Sequence, residues 1–133
     1  TISANFPENQ TLNMESYPHP LLQVVVELLQ NACLHAFSDG QTAPMIGLTF
    51  SSLNDRVIIR VQDNGCGTPP EILGKIFDPF FTTQMGSKRT GLGLSIVHAI
   101  VHKVLGGEIK VTQKENTGLA FYIELPTVAP NLD

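Results

Sequence analysis

The chain has no tryptophan, only two cysteines in 133 residues, and just 15% charged side chains. Cys33 lies in an apolar run and Cys66 in a glycine-rich turn. They supply neither a disulfide framework nor a metal quartet, and fit a reducing compartment. Basic residues are scarce: eight Lys and Arg stand against twelve Asp and Glu, a net charge of −4. That balance excludes a non-specific binder of nucleic acid or of anionic membranes. An anionic ligand would have to be held by local devices. No run reaches the roughly 20 apolar residues of a membrane-spanning helix, and no signal peptide opens the chain. The first residue is Thr rather than Met, which leads us to expect a segment of something longer. What is present is a globular composition: 42% hydrophobic, with 11 Gly and 9 Pro. The length suits one domain, which commonly runs to about 100–150 residues.

Patterning predicts an α+β organisation. Two short extended stretches, around Ile2–Phe6 and Thr11–Glu15, flank Pro7-Glu8-Asn9-Gln10 and predict a hairpin. Apolar residues then recur at helical spacing from Leu21 to Ala36, which predicts a helix over about Pro20–Phe37 with Gly40 beyond its end. Met45–Leu53 and Arg56–Gln62 alternate across Asn54-Asp55, the pattern of a second hairpin. A helical turn near Glu71–Ile76, an irregular stretch Phe77–Thr90 and a long helix over about Leu92–Leu105 follow, the last stopping at Gly106-Gly107. Strands Glu108–Lys114 and Leu119–Leu125 close the chain. Mostly antiparallel strands with interspersed helices predict a two-layer α/β sandwich, a mixed sheet carrying about three helices on one face.

Four constellations carry chemistry. Gly91-Leu92-Gly93-Leu94 opens a helix, where free amides and the helix dipole suit an anion; an ordinary loop-to-helix turn has the same look. Asp63-Asn64-Gly65-Cys66-Gly67 ends an apolar strand, and its carboxylate is placed to accept from an exocyclic amine such as adenine's. An Asx turn is the plainer account. Glu27 and Asn31 share a helix face, and their hard oxygens suit Mg²⁺ shared with substrate phosphates, with His35 one turn on; against this, polar residues on an apolar helix usually face solvent. Phe77–Thr90 combines clustered phenylalanines with a polar end bearing Lys88 and Arg89, the composition of a loop that closes on a ligand. His98 and His102 lie four apart without a third ligand and are expected to be a solvent-face pair. No nucleophile elbow or Cys–His setting supports covalent hydrolysis.

In order, Glu27-Leu28-Leu29-Gln30-Asn31-Ala32, Asp63-Asn64-Gly65-Cys66-Gly67, Phe77-Asp78-Pro79-Phe80-Phe81-Thr82-Thr83 and Thr90-Gly91-Leu92-Gly93-Leu94-Ser95-Ile96-Val97 resemble the N, G1, F and G2 boxes of the ATP-binding catalytic domain of bacterial sensor histidine kinases. That domain belongs to the GHKL superfamily and has the Bergerat fold. The likeness runs from about Pro18 to Pro126, with the whole of 1–133 as a single domain. It implies that Asn31, with Glu27 beside it, holds Mg²⁺, that Asp63 reads adenine, and that Gly65 and Gly67 let the chain pass the base. It also places His35, Ile72, Phe80, Thr82, Thr83, Lys88, Arg89, Thr90, Gly91, Leu92, Gly93 and Leu94 around ATP, with Gln84–Thr90 as a lid.

The implied reaction moves the γ-phosphoryl group of ATP to a histidine, work done by positioning and charge neutralisation. The acceptor histidine belongs on a dimerisation domain that this chain lacks: none of His19, His35, His98 and His102 has the helical, acid-flanked setting, and His19 sits between prolines. The implied partners are ATP, the dimerisation domain of the same full-length protein and, indirectly, a response-regulator receiver domain. No nucleic acid and no direct membrane contact are expected, and the expected location is cytoplasmic, with any membrane anchor elsewhere in the full-length protein.

Three positions depart from the family pattern. Leu34 stands where many members carry a phosphate-binding lysine, shifting that duty to Lys88 or Arg89. Glu27 replaces a common asparagine and resembles the general base of ATP-hydrolysing relatives, so a GHKL ATPase is one alternative. Leu119 and Ala120 follow Gly118 where a threonine is usual, and with Leu34 they leave a degenerate nucleotide-sensing or docking module as another.

Overall fold

The structure is a computed structural model describing residues 2–5, 14–33, 44–65, 67, 70–78, 93–113 and 118–131. Its frame is a five-stranded sheet of order β1-β2-β3-β5-β4, with β1 Ile2–Asn5, β2 Ile46–Leu53, β3 Arg56–Asp63, β4 Glu108–Gln113 and β5 Leu119–Pro126. All neighbours pair antiparallel except β1, which lies parallel to β2 with Ile2 opposite Ile46. Asn54 and Asp55 join β2 to β3 with φ of 49° and 56°. Two successive left-handed residues match the twist of a two-residue hairpin, and Asn and Asp tolerate them best after glycine.

Alternation fixes the faces of the sheet. Val57, Ile59, Val61 and Asp63 of β3 are buried, as are Leu119, Phe121, Ile123 and Leu125 of β5, while the residues between them in β3 are half-exposed. Helix α1, Pro18–Asn31, covers the buried face with Val24 and Leu28, both wholly inaccessible. Pro18 and Pro20 fall in its first turn, where a missing amide costs nothing. A one-turn helix α2, Pro70–Leu73, follows β3, and α3, Gly93–Ala99, packs against α1. Val24, Leu28, Val97, Val101 and Leu105 thus meet the apolar side of β3 and β5 in one core.

Three expectations are corrected. Of the expected amino-terminal hairpin, the described residues are placed differently: β1 pairs with β2, and Glu15 bridges Val128, donating its amide to the Thr127 carbonyl at 2.7 Å and accepting from the Ala129 amide at 2.7 Å, while 6–13 lie outside the described residues. The first helix begins two residues earlier than expected, at Pro18, and its α-helical part ends at Asn31; the expected continuation over 34–37 lies outside the described residues. The last helix is not uniform. Ile100–Val104 continues α3 as a π-helix, and Leu105 donates to the carbonyl of Ile100 at 2.9 Å, five residues back. The reason is visible in the core residues. Val97, Val101 and Leu105 repeat every four residues, a spacing that drifts by about 40° per step on an α-helix. A wider turn cancels the drift and keeps all three on the sheet.

Candidate functional site

Asp63 is where β3 delivers a carboxylate to the buried side of the sheet. The strand's two-residue period carries it onto the face of Val57, Ile59 and Val61, and it is 5% exposed. Its Oδ1 accepts the Gly65 amide at 2.9 Å, the Asx turn anticipated, and also the Leu119 amide at 3.2 Å from the start of β5. Both hydrogen bonds fall on Oδ1 and neither occupies Oδ2. Burial pushes the Asp63 pKa above its ordinary value, and the two amides pull it back in part. A carboxylate held through one oxygen keeps the other available to accept from a ligand.

The turn after Asp63 is tied down from the other side. Asn64 accepts the Met45 amide through Oδ1 at 2.8 Å and donates its own amide to the Met45 carbonyl at 3.1 Å, so the turn is clamped to the start of β2. Gly67 takes a φ of 70°. Gly118 packs against the turn so closely that a methyl group there would overlap Asp63 Oδ1 and stand 2.7 Å from the Asp63 carbonyl oxygen and from the Gly65 amide nitrogen.

On α1, Asn31 is 8% exposed and falls in the same stripe as Val24 and Leu28. The solvent-face account of Asn31 is therefore overturned, because successive spacings of four and three return to one side of a helix. Glu27, one turn before Asn31 and half-buried, lies at the edge of that stripe, one turn after exposed Gln23. Two oxygen-bearing side chains one turn apart on α1 form a donor set suited to a hard cation. Among the described residues there is no cluster of three or more His, Cys, Asp or Glu.

Helix α3 begins at Gly93, so Gly93 and Leu94 supply its first amides. The expectations placed on His35, Phe80, Thr82, Thr83, Lys88, Arg89, Thr90, Gly91 and Leu92, and the loss of a lysine at Leu34, concern positions outside the described residues, as does the side chain of Ile72. Phe77, the first residue of the phenylalanine stretch, packs edge-on against Phe121 with centroids 6.1 Å apart, which anchors the exit of α2 in the core. His98 and His102 are exposed as expected, their rings 4.3 Å apart. What sequence reading missed is the backbone contribution of Gly118 and Leu119. A lone glycine before a strand was its only trace.

Comparison with known proteins gives the family. Residues 16–129 match the family described as histidine kinase-, DNA gyrase B- and HSP90-like ATPase, and the chain belongs to that family. The sensor histidine kinase ZraS of Salmonella typhi is 40% identical over 133 residues, covering 99% of this chain and 27% of its own length. The chain therefore spans about a quarter of that relative. The nucleotide-free catalytic domain of histidine kinase ThkA superposes with a TM-score of 0.79 at 32% identity, covering 96% of this chain and 78% of that one. ThkA in complex with the response regulator TrrA gives a TM-score of 0.73 at 30% identity, covering 95% and 34%. The fold is that of a histidine kinase catalytic domain, an α+β sandwich as the sequence implied, with α2 reduced to a single turn.

Proposed function

We propose that the chain binds Mg-ATP and serves as the catalytic domain that passes the γ-phosphoryl group to a histidine on the dimerisation domain of its full-length protein. The observation that carries this reading is Asp63: buried and fixed through Oδ1 by two backbone amides, neither of which occupies Oδ2. An exocyclic amine of adenine is the complementary donor for Oδ2.

Asn31 and Glu27 fit a magnesium ion, which takes oxygen ligands and commonly retains water and substrate phosphate oxygens. When bound, it would neutralise phosphate charge, as an acidic chain requires. The amides of Gly93 and Leu94, at the start of α3, would add donors to phosphate oxygens, and Lys88 and Arg89 the remaining positive charge. The domain's own work is to orient the base, exclude water from one side and present the terminal phosphate. ThkA's complex with a response regulator supports a receiver domain as the eventual recipient of the phosphoryl group. No helix among the described residues is long and apolar enough to cross a membrane. We place the domain in the cytoplasm, any anchor belonging to other parts of the full protein.

A second reading is favoured by Glu27, which lies one turn before Asn31, is half-buried and has the chemistry of a general base for water, as in an ATPase. One experiment separates them. The chain is mixed with the separately expressed dimerisation domain and ATP labelled at the γ-phosphate, and both phosphohistidine and free phosphate are followed for the native chain and Glu27→Gln. Phosphohistidine that requires both components is the expected result. Free phosphate alone, abolished by Glu27→Gln, would replace transfer by hydrolysis. No nucleotide binding at millimolar ATP would sink both.

A further inference from the structure

We infer that the junction of Gly118 and Leu119 is a positioning device that sets the base specificity of the site, by fixing which oxygen of Asp63 meets the nucleotide. This rests on the reading of Asp63 as the adenine acceptor and goes beyond it, because the selecting element lies on a different strand, 56 residues away in the sequence.

The geometry is specific. A carboxylate can turn about its last bond and offer either oxygen, or both, to a ligand. Here the Gly65 and Leu119 amides converge on the same oxygen, Oδ1. Gly65 alone belongs to the Asx turn and travels with Asp63; Leu119 comes from β5 and ties the carboxylate to the sheet. Leu119 contributes in two ways, since its side chain is 8% exposed in the core while its amide points at Asp63. The approach that makes the bond possible exists because residue 118 has no side chain: a Cβ there would occupy the place of Oδ1 and crowd both the Asp63 carbonyl and the Gly65 amide.

With Oδ1 held by two donors, Oδ2 is left as a pure acceptor in a fixed direction. It would pair with the 6-amino group of adenine and reject a 6-oxo purine, which offers an acceptor at the same place. Sites that bury a fixed hydrogen-bonding group discriminate strongly against analogues that cannot satisfy it. A carboxylate free to rotate would discriminate less.

The test is a cycle on the full chain with ATP and inosine triphosphate as paired probes, which differ at the 6-position and N1 protonation of the base. Native chain, Gly118→Ala, Asp63→Ala and the double variant are titrated by calorimetry with Mg²⁺ present. Gly118→Ala is expected to weaken ATP by about tenfold or more, the scale of one charged hydrogen bond, and inosine triphosphate much less. In the Asp63→Ala background, which has no side-chain oxygen to clamp, the same substitution should leave the ratio of the two affinities unchanged, since contacting positions couple and independent ones add. Equal weakening of both nucleotides, or a ratio change that persists without the carboxylate, would overturn the inference.

A nucleotide-free measurement keeps the two readings apart. The Asp63 carboxyl is titrated by carbon NMR in the native chain and in Gly118→Ala. Loss of the Leu119 donor should move its midpoint upward, and an unmoved midpoint would refute the clamp whether or not ATP binds. If Gly118→Ala does not fold, Leu119→Pro removes the same donor and carries the cycle in its place. Tight clamping with no affinity for either nucleotide would instead refute the adenine role and leave the clamp standing.

Discussion

Replacing Asp63 with Asn changes one atom of the site and makes opposite demands on binding and stability. The amide carbonyl can keep the two backbone donors now held by Oδ1, at 2.9 Å from Gly65 and 3.2 Å from Leu119. The side-chain NH₂ then stands where Oδ2 was and meets the adenine amine donor to donor. Losing a hydrogen bond to a charged group costs about 1.5–3 kcal/mol, which is about 10- to 150-fold in Kd for an ATP analogue. A 6-oxo nucleotide, which can accept from that NH₂, should lose little or gain.

Stability should move the other way. Burial raises the Asp63 pKa above 3.8, more than its two amides lower it. A carboxyl whose folded pKa exceeds its unfolded one favours the fold below the unfolded pKa, and that contribution is lost as pH rises through the folded value. At neutral pH the ionised group therefore opposes folding, and Asn does not. Asp63→Asn should raise the urea midpoint at pH 7, with the gain shrinking as pH falls toward 4. Calorimetry with ATP and inosine analogues, paired with urea unfolding at the two pH values, checks both halves. Unchanged ATP affinity, or weaker binding together with a lower midpoint at pH 7, would refute the reasoning.

Other positions give simpler tests. Leu28 is wholly buried between α1 and the sheet, so Leu28→Ala should lower unfolding stability by about 2–5 kcal/mol in denaturant melts. Arg56 and Glu124 form an ion pair of 3.1 Å on the open side of the sheet, with side chains 37% and 47% exposed; a double-mutant cycle should return about 0–1 kcal/mol, falling with salt. His98 has its pKa lowered from 6.5 by partial burial and then by the neighbouring His102 charge. A histidine with a depressed folded pKa contributes stability above the unfolded pKa that is lost as pH falls through the folded one. His102→Gln should therefore raise the His98 titration midpoint, read by NMR, and flatten the loss of stability below pH 6.5.

The parts legible in the sequence are those where a period carries the information. Alternation over Arg56–Gln62 gave the strand, and one further step of it would have put Asp63 on the buried face. The hairpin at Asn54-Asp55 and the last two strands follow from the same two-residue period. Legibility failed where a partner distant in sequence decides. Ile2–Asn5 has no local signal for choosing β2 over a neighbouring stretch, because parallel pairing is made across an intervening helix. Asn31 misled because a polar residue on a helix is read as outward unless its spacing to Val24 and Leu28 is weighed first. The Leu119 amide could not be seen at all, since a backbone donor has no residue type.

The π-helical turn at Ile100–Val104 also has a consequence for how the helix tolerates change in length. Its two ends have different fixed tasks: Gly93 opens toward the candidate phosphate side, and Gly106-Gly107 hands the chain to β4. A wide turn absorbs a surplus residue between them without moving either end. Removing one residue within it should convert the segment to ordinary α-helix while Leu105 keeps its place in the core and the hand-over to β4 is unmoved. The helix is thus spliced from two phases.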